Sequence, residues 1–494
     1  MNTASIPQIR RWRAFAVLAV SFFMTIIDLT IVNVALPTIG RALHMSESNL
    51  QWVVTAYAIT FGGFLLLGGR AADLLGRRRI LMLGLAVFTS ASLGAGLATS
   101  DGVLIAMRGL QGFGAAIVLP AALSIVMNMF AEGAERNKAL GLWGGIGAAG
   151  ATVGLIAGGL LTRYVGWEYI FFLNVPIGVA ALLLAPRVVP ESRLQGVRRR
   201  FDPFGAITVT GGLLLLVYAI SKAPQTGWGS GRTVTLLAVS AVLLIAFLAI
   251  ETRAKAPLLP LRIFRLRTVA VANAVGFLLG GSFFAFIFIG TLYMQQVLGY
   301  SALQAGVAWL AASVTSVALA GLSQMLVTRI GAGPVMAAGM ALIGAGVLWT
   351  TQVPVHGHFW SALAGPFFVA GAGTAFAFVP ISIAGLAGVA RQEAGLASGL
   401  LNTSQQLGGA IGVAIASTVA ATHFNTLLDE GKTAGAALTG GFHWAFWVCG
   451  VIALLALPAT ASLLRRKTAN ADGDRAVPAL EVAATINRAK EASR

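Results

Sequence analysis

Asp28-Leu29-Thr30-Ile31-Val32-Asn33-Val34-Ala35-Leu36-Pro37 closes an apolar run that begins at Trp12. A helix of about 20 apolar residues crosses a bilayer, so the run is long enough to span. Yet it holds a carboxylate. Of the 17 acidic residues in the chain, Asp28 alone falls deep inside a long apolar run. A charge at that depth costs on the order of several kcal/mol, so an acid there is as a rule a proton site, an ion site or half of a buried pair. Arg108, inside the run Val103–Met129, is the one basic residue stranded in the same way.

The remaining composition agrees with a membrane chain. Of 494 residues, 57% are hydrophobic and only 10% charged, against about 25% charged in a soluble domain. Fourteen candidate spans follow one another from Trp12–Leu36 to Phe442–Leu464. They use nearly the whole length and leave no room for a soluble catalytic domain. The first run is too long for a cleaved signal peptide and lacks its small-residue cleavage site. Cys449 is the single cysteine, which excludes an intrachain disulfide.

A formal charge of +17 invites a nucleic-acid partner, but its distribution argues against one. With fourteen spans, 28 of the 34 Lys and Arg residues fall on one side of the membrane and five on the other, with Arg108 inside. Basic residues stay cytoplasmic during insertion. Both termini are therefore expected in the cytosol, in a multi-pass protein of the plasma membrane.

Two basic linkers, Pro190–Arg200 and Glu251–Pro260, bracket the spans Phe204–Ser221 and Thr233–Ile250. The pattern predicts an all-α polytopic protein with four parts. These are an N-terminal six-helix bundle over 1–203, an inserted pair of helices over 204–262, a C-terminal six-helix bundle over 263–468, and a cytoplasmic, disordered tail over 469–494. A faint repeat, Ser-x-Leu-Gln, opens the second span of each half at Ser48–Gln51 and Ser301–Gln304. Paired six-helix halves are a recurrent transporter plan, with substrate held between them near midplane. Glycine is abundant, at 60 residues, and the fifth span carries Gly147, Gly150, Gly154, Gly158 and Gly159. Small residues four apart let helices pack backbone to backbone.

Several motifs, in this order and at these spans, resemble the major facilitator superfamily, and within it the fourteen-helix drug:proton antiporters of the EmrB/QacA type. Asp28–Pro37 is similar to that subfamily's first-helix signature. Gly69-Arg-Ala-Ala-Asp73-Leu-Leu-Gly76-Arg77-Arg78-Arg79 resembles the loop between helices two and three found across the superfamily. Arg108-Gly-Leu-Gln111-Gly112-Phe-Gly114 resembles the fourth-helix motif of proton-coupled members, and Gly150-x-x-x-Gly154-x-x-x-Gly158-Gly159 most of the fifth-helix antiporter motif. Asn402-Thr-Ser-Gln-Gln406-Leu-Gly-Gly409 resembles a late-helix motif. The resemblance covers residues 12–464. Two positions depart from it. Leu155 stands where the antiporter motif has proline, and Thr328-Arg329-Ile-Gly331 has no acid where the first-half loop has Asp73.

The resemblance implies a major facilitator fold and a proton-coupled secondary transporter that exports amphipathic organic compounds by alternating access. It implies no cofactor, the proton gradient being the driving force, and a chain that works as a monomer in lipid with a small organic substrate and protons as its partners. Asp28 and Arg108 lie at similar depth on antiparallel spans, roughly 12 Å and 8 Å from the outer face at about 1.5 Å per residue. Burial disfavours a charged carboxyl and a nearby guanidinium favours it, so separating and rejoining the pair makes a proton switch. The same pair also reads as a static brace that holds two helices in register. Asp73, with Gly69, Gly76 and Arg77, is expected to close the cytoplasmic side against a helix N-terminus near Ala394, since such termini attract anions. Asn33, Tyr57, Gln111, Tyr293, Gln296, Asn402 and Gln405 are candidate lining residues of a substrate cavity.

Other classes fit less well. No nucleotide-binding loop occurs, which argues against ATP-driven transport. A polytopic enzyme needs acids, histidines or cysteines clustered at one membrane face. The nearest approach, His356-Gly-His358, has no acid or cysteine beside it, so no metal site is expected. Among transporters, a dedicated exporter of an endogenous metabolite and a proton-coupled uptake symporter remain open.

Overall fold

The computed structural model describes residues 8–45, 47–131, 133–192, 202–254, 257–259, 261–389, 393–461 and 463, and no strand occurs among them. The tail expected over 469–494 and most of the first basic linker lie outside the described residues. In chain order the long helices are α1 (Gln8–Ala42), α2 (Glu47–Leu75), α3 (Arg77–Gly96), α4 (Asp101–Met129) and α5 (Ala134–Tyr164). They continue as α6 (Asn174–Val188), α7 (Pro203–Thr226), α8 (Gly231–Arg253), α9 (Arg267–Gln296) and α10 (Leu310–Ile330). The last four are α11 (Ala332–Trp349), α12 (Ala364–Gly385), α13 (Ala394–Asp429) and α14 (Ala434–Leu454). Short helical pieces, Tyr169–Phe172 and Ala302–Ala308, lead into α6 and α10. Among the described residues, thirteen stretches are long and apolar enough to cross a membrane. The remaining long helix, α5, has 31 residues and no charge between Lys138 and Arg163.

Local chemistry sets the helix ends. Gly76 separates α2 from α3 at φ 112°, a conformation that favours glycine. Asp202 caps α7, accepting from Gly205 N at 2.9 Å, with Pro203 in the first turn. The Ser301–Gln304 half of the repeat is a capping box. The Gln304 N–H donates to Ser301 Oγ, and the Ser301 N–H to Gln304 Oε1 at 2.8 Å. The side chains of Ser48 and Gln51 are outside the described residues.

Helices α1–α6 pack among themselves, as do α9–α14. The halves meet along two seams, α2 and α4 against α13 on one side and α5 against α10 and α12 on the other. The inserted helices α7 and α8 pair with each other, and α7 lies on α2 and α13. One apolar core runs from the first half through Val209, Leu213 and Phe247 of the inserted pair to Leu396, Ala397 and Leu400 of α13. It occupies the end of the bundle that carries Arg77–Arg79. At the opposite end, Ile27, Ile31, Val53, Leu104 and Phe171 form a separate core whose members all belong to the first half. The halves share one core at the basic end and keep separate cores at the other, where they still touch through Gly159 and Leu303.

Candidate functional site

Four helices of the first half converge on Asp28, which is wholly buried. Arg108 Nη1 donates to Asp28 Oδ2 at 2.6 Å. Gln111 Nε2 and Asn174 Nδ2 donate to Asp28 Oδ1 at 3.0 and 2.7 Å. The two amides share a second acceptor, Ser92 Oγ, at 2.6 and 3.1 Å. The four partners come from α3, α4 and the start of α6, and the carboxylate from α1. Arg108 and Gln111 lie one turn apart on α4, so helical spacing aims both at one point. Asn174 sits at the break between Tyr169–Phe172 and α6, where its side chain turns inward.

Arg108 has further partners. Its Nε donates to Val53 O at 2.9 Å, and its Nη1 to Gln111 Oε1 at 3.0 Å. Its guanidinium lies over the Tyr57 ring, 4.4 Å from the centroid. Tyr57 in turn donates its hydroxyl to Thr25 O at 3.3 Å. A buried ion pair endures when its other donors and acceptors are satisfied, and no buried side-chain atom of Asp28, Arg108, Gln111 or Asn174 lacks a partner. The arrangement keeps a carboxylate in an apolar bundle with three donors from two other helices, α4 and α6. Any rigid movement of α1 against α4 or α6 changes its donor count.

The pairing of Asp28 with Arg108 was open from depth alone. The network around it shows where sequence reasoning fell short. Ser92 and Asn174 were not among the candidates. An asparagine inside an apolar run, two residues before Pro176, was the available signal. Three residues expected to line a cavity are instead enclosed. Gln111 is part of the cage. Tyr57 covers the guanidinium. Tyr293 lies inside the second-half core against Phe442 and Phe446, its hydroxyl donating to Pro354 O at 2.7 Å. Long polar side chains in a helix bundle find partners in the packing when an acceptor is near. Asn33 and Gln296 are exposed, and Asn402 and Gln405 half-buried. Asn33 donates to Leu29 O and Thr30 O of its own helix.

At the basic end Asp73 joins the halves. Its Oδ2 accepts the backbone N–H of Leu396, in the first turn of α13, at 3.0 Å. Arg77 Nε and Nη2 hold Oδ1 at 3.0 and 2.7 Å. Arg77 Nη1 also donates to Ser192 Oγ at 3.3 Å. Beneath this contact the backbones of α2 and α13 nearly touch. A Cβ on Gly399 would meet Leu65 O at 2.9 Å, and one on Gly395 would meet Gly69 O at 2.8 Å. On the second seam Asn137 Nδ2 donates to Thr328 Oγ1 at 3.4 Å. Gly76 supplies the turn that lets Arg77 fold back on Asp73.

The glycines of α5 face two ways. Gly150, Gly154 and Gly158 lie along α1, where an added Cβ would meet Ile26, Ile27 O and Ile31 O respectively. That is the helix which carries Asp28. Gly159 instead faces Leu303 of the second half, as Gly141 faces Gln324.

The family model described as Major Facilitator Superfamily matches residues 18–413 and, in a second match, residues 274–491. The chain belongs to the major facilitator superfamily. Two similar proteins match over most of their length. The puromycin resistance protein pur8 of Streptomyces alboniger is 38% identical over 447 residues, covering 88% of this chain and 87% of its own. The cephamycin export protein CmcT of Amycolatopsis lactamdurans is 38% identical over 411 residues, covering 82% of this chain and 84% of its own. Among solved major facilitator structures, the proton:xylose symporter XylE superposes with a TM-score of 0.61 at 16% identity, over 92% of this chain and 95% of that one. The human organic anion transporter MFSD10 gives 0.64 at 16% identity, over 92% and 100%. These two likenesses concern the fold.

Proposed function

We propose that this chain is a proton-coupled exporter of small amphipathic organic compounds, taking protons in and moving substrate out across the plasma membrane. The carrying observation is the Asp28 cage. The Asp28 carboxylate and its arginine are surrounded by donors from the first-half helices, which supports a proton site there. The resistance and export activities named for the similar proteins support the direction and the substrate class. In this reading the Asp73–Leu396 contact is the cytoplasmic gate, and the structure is the form closed on that side. Opening the gate tilts the first-half helices and changes the donors around Asp28. One proton entering under about 150 mV supplies roughly 3.5 kcal/mol, which sustains a gradient of roughly 300-fold.

The test uses sealed vesicles of the full chain, loaded with a lipophilic fluorescent dye. An imposed pH gradient should drive dye against its concentration, and dissipating the gradient should stop it. Dye movement that ignores the gradient would reject proton coupling while leaving the transporter class intact.

A further inference from the structure

The inserted helices have no part in the cycle just described, yet they end on the gate. Glu251 in the last turn of α8 is only 4% exposed, and its Oε1 accepts the Leu259 N–H at 2.6 Å. This bond holds Leu259 against the last turn of α8. Leu258 and Leu259 join one apolar core with Leu66 of α2, Val209 of α7, Phe247 of α8 and Leu396 of α13, and the six line a small cavity there. Leu396 is the residue whose N–H Asp73 holds. A few residues on, Arg262 Nη2 donates to Glu393 Oε1 at 2.6 Å, immediately before α13. The charges that face Glu251 from the packed elements are Arg70 of α2 and Asp202 at the start of α7.

The turn after α8 therefore touches α2 of one half and α13 of the other at the point where they close. Parting those helices strips Leu259 from at least one of them. We infer that Glu251 is a positioning residue for the gate: through Leu258 and Leu259 it fastens the inserted helix pair as a strut that holds α2 and α13 together on the closed side. The inference rests on the major facilitator reading of that contact as the gate. Apolar burial supplies most of the grip, and the buried carboxylate oxygen fixes the register of the turn by satisfying a backbone donor.

The experiment is a spin-label distance measurement on the full chain, with Cys449→Ser, Leu75→Cys and Ile330→Cys. The labels sit on exposed positions at the basic ends of α2 and α10. Leu259→Ala and Glu251→Ala should each raise the ratio of long to short distances by roughly tenfold, the scale of coupling between two states. Glu251→Gln keeps an acceptor oxygen and should retain the parent distribution. In dye export, the Ala variants should change the maximal rate more than the half-saturating concentration. Unchanged distances in Leu259→Ala, with an unchanged melt, would overturn the strut even if Glu251→Ala failed to fold. Glu251→Gln behaving like Glu251→Ala would overturn the assignment of the fastening to the acceptor oxygen. If Leu259→Ala lengthens the distance while Asp73→Asn does not, the strut stands and the gate reading of Asp73 falls.

Discussion

The Asn174 amide reaches the Asp28 carboxylate at 2.7 Å across 146 residues of chain, and the same amide bonds to Ser92. Asn174 thereby ties the break before α6 to the charged centre on α1. The carboxylate is held by three donors, two on α4 and one on α6. This relationship shapes the first two predictions.

Asn174→Ala should lower thermal stability by about 1–3 kcal/mol, the cost of unmaking buried hydrogen bonds. Asn174→Asp should be worse, because it sets a second carboxylate beside Asp28. Thermal melts in detergent rank the two. An Asp variant as stable as the Ala variant would show that Asn174 does not govern the carboxylate.

Asp28→Asn should abolish gradient-driven export, since an amide carries no proton between the two sides. It also leaves Arg108 buried without its counter-ion, a cost of about 3–5 kcal/mol in buried pairs. Adding Arg108→Gln should recover part of the stability and none of the export. Dye efflux and a melt on the same preparations separate these effects. Active transport regained by the double variant would reduce the pair to a brace.

Asp73→Asn should impair export while substrate binding is kept. The amide oxygen can still meet the Leu396 N–H, but the ion pair with Arg77 is lost. Binding of a fluorescent substrate measured beside vesicle efflux checks this. Normal efflux would leave the Gly69–Arg79 stretch as a turn and a topology signal.

Gly154→Ala should slow export and destabilise the first half by about 1–3 kcal/mol, the usual cost of overpacking. The added Cβ would meet the Ile27 carbonyl at 2.8 Å, and that oxygen belongs to a helix backbone which cannot swing aside. Gly133→Ala, with nothing near its Cβ, is not a matched control because its φ is 122°. Gly321→Ala is the better one, since its Cβ meets nothing and no positive φ is involved. Equal melts for Gly154→Ala and Gly321→Ala would deny the close approach of α1 and α5.

Orientation has its own test. The 28 to five division of basic residues predicts that a tag after Thr226 is reached only from outside the cell and a C-terminal tag only from within. Labelling of the C-terminal tag in intact cells would invert the assignment.

Much of the fold was legible one segment at a time. Apolar length marks the spans, and the cost of a buried charge marks Asp28 and Arg108. Both are properties of a residue and its near neighbours in the chain, so they need no knowledge of packing. Gly76 was legible for the same reason, since turn chemistry is local; Ser301–Gln304 read only as a repeat at the start of a span, and its capping box came from the structure.

Most of the partners were not legible. Helical periodicity assigns a side chain to a face of its helix, but not to the neighbour that covers that face. Hence Ser92 and Asn174 went unnoticed, while Gln111, Tyr57 and Tyr293 were expected in a cavity and turned out to be enclosed. Glu251 looked like part of a basic linker, and only the fold back of Leu258–Leu259 buries it. The equal spacing of Gly150, Gly154 and Gly158 showed a smooth stripe. That the stripe meets the helix carrying Asp28, while Gly159 meets the other half, was decided by the crossing of α5 with its neighbours. The sequence by itself determined which residues enter the membrane and which of them carry charge. Which groups meet there was set by tertiary packing, because contacts between helices far apart in the chain depend on how whole faces fit together.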